Sequence, residues 1–376
     1  MTDWTRAGIP QNFQDLTSDI MLRAPEPQYF HASLIKGIIA AQVLKTGIEQ
    51  FGLPMPGRDA QWAGVGADVP SSAFAGLVLN DSSGIFEAGM YFDDFDRMDN
   101  PRPGHSVRVN RPVFTDSTYT LASRTISAGS TISTTGQTVG MGQVDLILRR
   151  IGGPYNNTAA AVTPYVLDRF DMGRGIHATA SLVGMYMQRD CDKTLDKIGV
   201  DLLDAVDTST GIVRPGNMTA DNDSGAAGSY KFSYALLAKI KTAMVTAHVL
   251  PFRNGRYALV LHPRQVEQLK LDMQYQRLSA MQQAFNPLFT GSYQFTVDGF
   301  DIYQSTTLST ATNSSSVTIY YGQAFGRNVL GLGCPRKPEV VRSTADNYGE
   351  SIPLIWLSYF AATVLDNRYM LRVTTD

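Results

Sequence analysis

Residues 115–138 constrain the fold more than any other stretch. They hold 13 Ser or Thr among 24 positions and few large apolar side chains. Such a segment cannot assemble a core from its own side chains. Alternating segments flank it. His105 to Phe114 (HSVRVNRPVF) puts Val107, Val109 and Val113 on one face, and Gln143 to Ile151 (QVDLILRRI) does the same with Val144, Leu146 and Leu148. Alternation of period two marks strands. Two strands joined by a polar, β-prone excursion make a ribbon that must lean on something else. Gly152-Gly153-Pro154 breaks the segment.

The charges around this ribbon are unusual. The chain has 9 Lys against 23 Arg, and between Lys45 and Lys193 it has eleven arginines and no lysine. Lysine is depleted at protein interfaces and arginine enriched, because the guanidinium is weakly hydrated and bonds as a planar fork. Burial at an interface explains the bias; a compositional drift such as GC-rich coding explains it equally. Charged residues are 18% of the 376, below the roughly 25% of ordinary soluble proteins. With a net charge of −2 the chain is too balanced for a free nucleic-acid binder or a disordered protein. Two cysteines, Cys191 and Cys334, make neither a disulfide framework nor a Cys-based zinc site. The start shows no signal-peptide pattern. The longest apolar run, Ile352 to Leu365, contains a Pro and is short of the ~20 residues of a membrane span.

Elsewhere the elements are readable by period. Residues 1–60 read as an irregular arm with mixed charge and one helix, Tyr29 to Phe51; 54–84 read as an ordered loop or linker. A helical period runs over 163–206, through Phe170, His177, Gly184, Met187, Cys191, Leu195 and Leu202, with Thr163-Pro164 as its start. That predicts roughly 60 Å of helix, with Gly173, Gly175 and Gly184 favouring a bend or close crossing. Lys231 to Leu250 and the segment opened by Pro263 read as helices. Arg256 to Leu261, Gln294 to Gln304 and Ser316 to Tyr321 read as strands. Ile352 to Leu365 and Tyr369 to Val373 read as a hairpin about Asp366-Asn367.

Catalytic and metal motifs are not found. Asp93, Asp94, Asp96 and Asp99 lack the Gly and Glu that a calcium loop needs at its sixth and twelfth positions. They read as a solvated acidic turn, or a rim that pairs with a neighbour's arginines. None of the five histidines has a paired-ligand spacing, and His177 reads as a core residue. No Walker loop, dinucleotide fingerprint or nucleophile elbow occurs. Cys191 and Cys334 read as packed thiols. No cofactor, metal or catalytic residue is expected.

The order of parts is distinctive: arm and helix, two-stranded excursion, long helix, α/β insertion, β return. It resembles the major capsid protein of tailed bacteriophages, the Hong-Kong-97-like fold. Short phrases share the resemblance: Tyr257 to Pro263 (YALVLHP), Val297 to Gln304 (VDGFDIYQ), Gly322 to Gly326 (GQAFG) and Asp346 to Glu350 (DNYGE). The resemblance implies an α+β fold with an N-arm, helix and linker over 1–85 and an extended β-loop over 86–154. It further implies a peripheral domain with its spine helix over 155–206, an axial domain over 207–335, and closing peripheral strands over 336–376. It implies a non-enzymatic structural protein that self-assembles as hexamers and pentamers into an icosahedral shell around double-stranded DNA, in the virion, after assembly in the host cytoplasm. A loop with no lysine has no amine to link subunits, so non-covalent contacts are expected. The chain begins almost at the arm, so no N-terminal processing is expected and a separate scaffolding protein is. A portal protein and a cement or decoration protein are the further expected partners, contact with the packaged DNA is expected to be weak and non-specific, and no membrane is involved.

Candidate inter-subunit contacts are Arg108, Arg111, Arg124, Arg149 and Arg150 set against Asp93, Asp94 and Asp96. Three other readings stay open: a nanocompartment (encapsulin-type) shell, a tail or baseplate adaptor, and a β-rich hydrolase using the Asp93–Asp99 carboxylates.

Overall fold

The computed structural model describes residues 26, 28–39, 84–98, 100–113, 140–153, 155–156, 161–162, 164–168, 177–206, 211–224, 228–272, 293–342 and 351–376. Two mixed sheets carry the chain. The first is built on β14 (Leu330–Arg342) and β15 (Ser351–Val364), which pair antiparallel with two register shifts. β1 (Gly89–Tyr91) adds to β14 in parallel. β4 (Arg149–Gly153) and β7 (Tyr165–Asp168) pair with successive parts of β15. The second sheet runs β10 (Tyr293–Val297), β11 (Phe300–Gln304), β9 (Tyr257–Leu261), β13 (Thr318–Phe325), β16 (Met370–Thr375) and β8 (Ile212–Val213), with β12 (Thr310–Thr312) on β13. A separate ribbon pairs β2 (Ser106–Val113) with β3 (Gly140–Ile147), and a small one pairs β5 (Tyr155–Asn156) with β6 (Ala161–Val162).

Local chemistry explains the second sheet. Every residue of β9 is buried, as a central strand with neighbours on both edges requires. It stops where His262 caps α4 (Pro263–Leu271): Arg264 N donates to its ring, and the Gln265 side chain accepts from His262 N at 3.1 Å. α3 (Tyr234–Thr246) buries Leu236, Leu237, Ile240 and Met244 against this sheet.

Helix α2 (His177–Asp204, 28 residues) joins the parts. Its buried stripe of Met187, Cys191, Leu195 and Leu203 shares one apolar cluster with the first sheet and with α1, the helical residues 30–39. Four aspartates of α2 hold α1 and the two sheets. Asp190 accepts from the Trp356 indole at 2.8 Å. Asp192 contacts the Lys36 ammonium. Asp196 accepts from His31 N at 2.8 Å and Ala32 N at 3.1 Å, so it caps α1 from outside, and also takes the Thr307 hydroxyl. Asp204 accepts from Gln323 of β13 at 2.7 Å. Close approach makes room for these bonds. A Cβ at Gly153 would sit 1.9 Å from an Asp190 carboxylate oxygen, and one at Gly199 would sit 2.6 Å from His31 Cβ.

Several expectations are corrected. The helix does not begin at Thr163-Pro164: Tyr165–Asp168 is a strand, because its backbone is taken up by Ser351–Leu354 of β15, and α2 starts at His177. It is therefore roughly 42 Å long. Gln294 to Gln304 is two strands. Asp298 and Gly299 both take left-handed φ (47° and 82°), which folds the segment into a hairpin. Asp366-Asn367 is no hairpin turn; β15 lies in the first sheet and β16 in the second. Residues 40–83, with most of the expected linker, and Gly173 and Gly175 lie outside the described residues; the side chain of His177 is likewise not described.

Burial alone would raise the Asp196 carboxyl, but hydrogen bonding from His31, Thr307 and the Ala32 N–H outweighs it and holds the group below the usual carboxylate range. Its folded value is thus depressed. The stability it supplies is present above an unfolded pKa of about 3.9 and is lost as pH falls through the lower folded value. Burial moves Asp192 the other way, upward against the pull of Lys36, so its ionised form costs stability that acid relieves. Asp196→Ala is expected to cost about 2–4 kcal/mol near neutral pH. Urea unfolding should show that difference constant above about pH 5 and shrinking at more acid pH.

Candidate assembly surface

The ribbon pairs β2 with β3 in unbroken register, from Ser106 opposite Ile147 to Val113 opposite Gly140, and among the described residues no third strand joins it. Its foot is nevertheless anchored. Gly104 N donates to Leu148 O, and Leu148 N to His105 O, each at 2.8 Å. Leu146 and Leu148 are fully buried with Phe95 and Ala361, and Phe92, Met98, Val107, Val109 and Tyr359 pack around them. Val107 stands opposite Leu146 and Val109 opposite Val144, so the apolar face turns toward the first sheet. The foot of the ribbon thus leans on Phe95 and on Ala361 of the first sheet. The Ser/Thr-rich residues 115–138 lie outside the described residues.

The outer face of the foot is polar. Arg108 Nε meets Asp145 Oδ1 at 2.8 Å across the strands, with a second bond of 3.2 Å to Oδ2. The hydrogen bond raises the arginine and lowers the aspartate, which keeps both charged. Ile147 beside them is 49% exposed.

The acidic residues sit in a short turn, Asp93–Phe95, whose Phe95 plugs the core of the foot. Asp93 pairs with Arg97 at 2.6 Å. Asp96 accepts from the Tyr91 hydroxyl at 3.0 Å, and that hydroxyl in turn accepts from Cys334 N at 3.2 Å. Burial, then the charge of Asp96, pushes the Tyr91 phenol well up; burial is also the leading cause that raises Asp96. Burial also pushes the Cys334 thiol up to about 11 and Cys191 to about 12, which leaves both unreactive.

The structure therefore sorts the contact candidates. Arg108, Asp93 and Asp96 are engaged within the chain. Asp94, Arg149 and Arg150 are exposed, and no hydrogen bond or ion pair engages their side chains among the described residues. Arg150 stands opposite Tyr359, which stands opposite Arg336; the Arg336 guanidinium lies 5.3 Å from the Tyr359 ring centre and pairs with Glu339. Arg111 stands opposite Gly142, with its side chain outside the described residues, as are Arg124 and Asp99. Among the described residues the acidic turn and the arginines of β4 do not pair with each other. Sequence reading passed over the α2 aspartates; their signal is Asp192 and Asp196, one turn apart and interleaved with the buried Cys191 and Leu195. It also passed over an exposed apolar face on the first half of α2, Leu182, Met185 (57% exposed) and Tyr186. Among the described residues no group of three or more His, Cys, Asp or Glu is placed to hold a metal ion, and no helix is long and apolar enough to cross a membrane.

Solved structures share this fold. The capsid of Ralstonia phage GP4 superposes with a TM-score of 0.55 at 12% identity, over 77% of this chain and 90% of that one. The cyanophage Pam1 capsid asymmetric unit gives 0.51 at 11% identity, over 76% and 87%. The acid-stable capsid of Helicobacter pylori bacteriophage KHP30 gives 0.51 at 11%, over 86% and 95%. The chain thus has the α+β fold of phage capsid structures. No protein-family model matches the chain, and no curated protein matches its sequence.

Leu146→Ala should cost about 2–5 kcal/mol, since it opens a cavity in the small core of the foot. Hydrogen exchange of residues 106–113 should rise. Arg108→Ala, which removes an exposed pair, should leave the urea midpoint essentially unchanged.

Proposed function

We propose that this chain is a major capsid protein, many copies of which form hexamers and pentamers of an icosahedral shell around double-stranded phage DNA. One observation carries the reading. In a chain with the fold of phage capsid structures, a two-stranded ribbon is anchored only at its foot and leads into a polar, β-prone segment. A lone two-stranded ribbon is marginal in water. A neighbouring subunit supplies the missing support. At about 25 cal/mol per Å², burial of several hundred Å² contributes of order 10 kcal/mol before ordering costs, most of which those costs offset. Weak single contacts let misplaced subunits dissociate, and many contacts sum to a stable shell.

The subunit contacts are non-covalent and include charge complementarity. The open arginines Arg149 and Arg150 face an acidic partner, and the turn carrying Asp94 is such a partner on the adjoining copy. Arg111 and Arg124 extend the same basic stem. A patch that meets a different patch on the next copy is a heterologous contact, which closes into rings when the rotation allows. Residues 1–85 serve as arm, helix and linker, 86–154 as the extended loop, 155–206 as the peripheral domain, 207–335 as the axial domain and 336–376 as the closing strands. A scaffolding protein guides assembly in the host cytoplasm, a portal protein occupies one vertex, and a cement or decoration protein binds outside. Contact with the packaged DNA is weak and non-specific, since a strongly basic lining would resist release. The chain needs no catalysis and no cofactor.

Electron microscopy of the full-length protein, expressed alone and with its scaffolding partner, tests this. Closed icosahedral particles are expected; open rings or a compact monomer at high concentration would overturn it. Arg149→Glu with Arg150→Glu should abolish particles while the subunit keeps its circular dichroism and melting temperature. Normal particles from that variant would remove both arginines from the contact.

A further inference from the structure

Lys36 of α1 and Asp192 of α2 meet inside the core. Their side chains are 4% and 3% exposed, and Nζ touches the carboxylate. Ile35, Cys191 and Leu195, their neighbours along the two helices, belong to one buried apolar cluster. Two full charges are expensive in such a place. The upward push of burial on the Asp192 carboxyl agrees with this. One turn further along the same face stands Asp196, also buried, and kept ionised by the donors from α1 and Thr307. A buried lysine and two buried carboxylates thus lie where α1 meets α2.

We propose that Lys36 and Asp192 condense into an isopeptide bond that ties α1 to α2 within the subunit. A proton passes from the Lys36 ammonium to the Asp192 carboxylate it touches, the freed lone pair of Nζ attacks Cγ of the resulting carboxyl, and an N–C bond forms. The nitrogen gives up one proton, which Asp196 accepts and returns to the departing hydroxyl. The C–O bond breaks, one water leaves, and Asp196 ends as it began. No oxidant, nucleotide or metal is consumed. Exclusion of bulk water favours the condensed side and protects the amide from hydrolysis. The bond lies inside one chain, so it is independent of the shell reading and of the non-covalent contacts between subunits.

The test is the intact mass of the full-length protein, denatured after prolonged incubation in the folded state. The wild-type chain should be lighter than its sequence by one water, and tandem mass spectrometry of a digest should find the peptides carrying Lys36 and Asp192 joined. Lys36→Met and Asp192→Ala should each restore the sequence mass, and Asp196→Asn should slow the loss of water. A wild-type mass equal to that of its sequence overturns the proposal, and so does a lost water traced to a cyclised aspartate within a single peptide. The wild-type result decides the matter even if a variant fails to fold. Particle formation is read separately, so a failed bond and a failed shell are distinguishable.

Discussion

A carboxylate that caps a helix it does not belong to holds the centre of this molecule. Asp196 takes the two N–H groups that open α1, and these have no partner within their own helix. Without that bond they would be buried donors facing apolar side chains, at a cost of a few kcal/mol. The other α2 aspartates repeat the principle: Asp190 fixes Trp356 of the first sheet, and Asp204 fixes Gln323 of the second. Apolar contact brings helix and sheets together, but it is tolerant of sliding. Directional bonds from one helix to three elements set a single register.

The ribbon follows the opposite principle. Its foot is held by a plug of four buried apolar residues and two backbone bonds. Its outward face carries an exposed ion pair, which contributes little to stability.

What the sequence revealed depended on whether structure was coded locally. β9 and α4 were legible because a run of apolar residues, a His-Pro boundary and a capping glutamine all lie within fifteen positions. The ribbon strands were legible from the alternation of Val107, Val109, Val144 and Leu146. Tyr165–Asp168 was misread because three apolar residues at a helix approach suit a helix as well as an edge strand; only the distant Ser351–Leu354 decides between them. Asp298-Gly299 was hidden inside an otherwise continuous strand pattern. The α2 aspartates were visible as acids on an apolar stripe, but periodicity names the face and not the partner. Their partners Lys36, His31, Trp356 and Gln323 lie 119 to 166 positions away, and no local signal links them.

The chain passes between its sheets twice in neighbouring places. It leaves the second sheet after Phe325 for β14 and leaves the first after Val364 for β16, and the two crossings bond to each other, Leu365 N to Val329 O at 2.7 Å and Gly326 N to Tyr369 O at 3.2 Å. Twin strands riveted side by side resist twisting in a way that one tether cannot. To swing one sheet against the other, both crossings and the bonds between them would have to give at once.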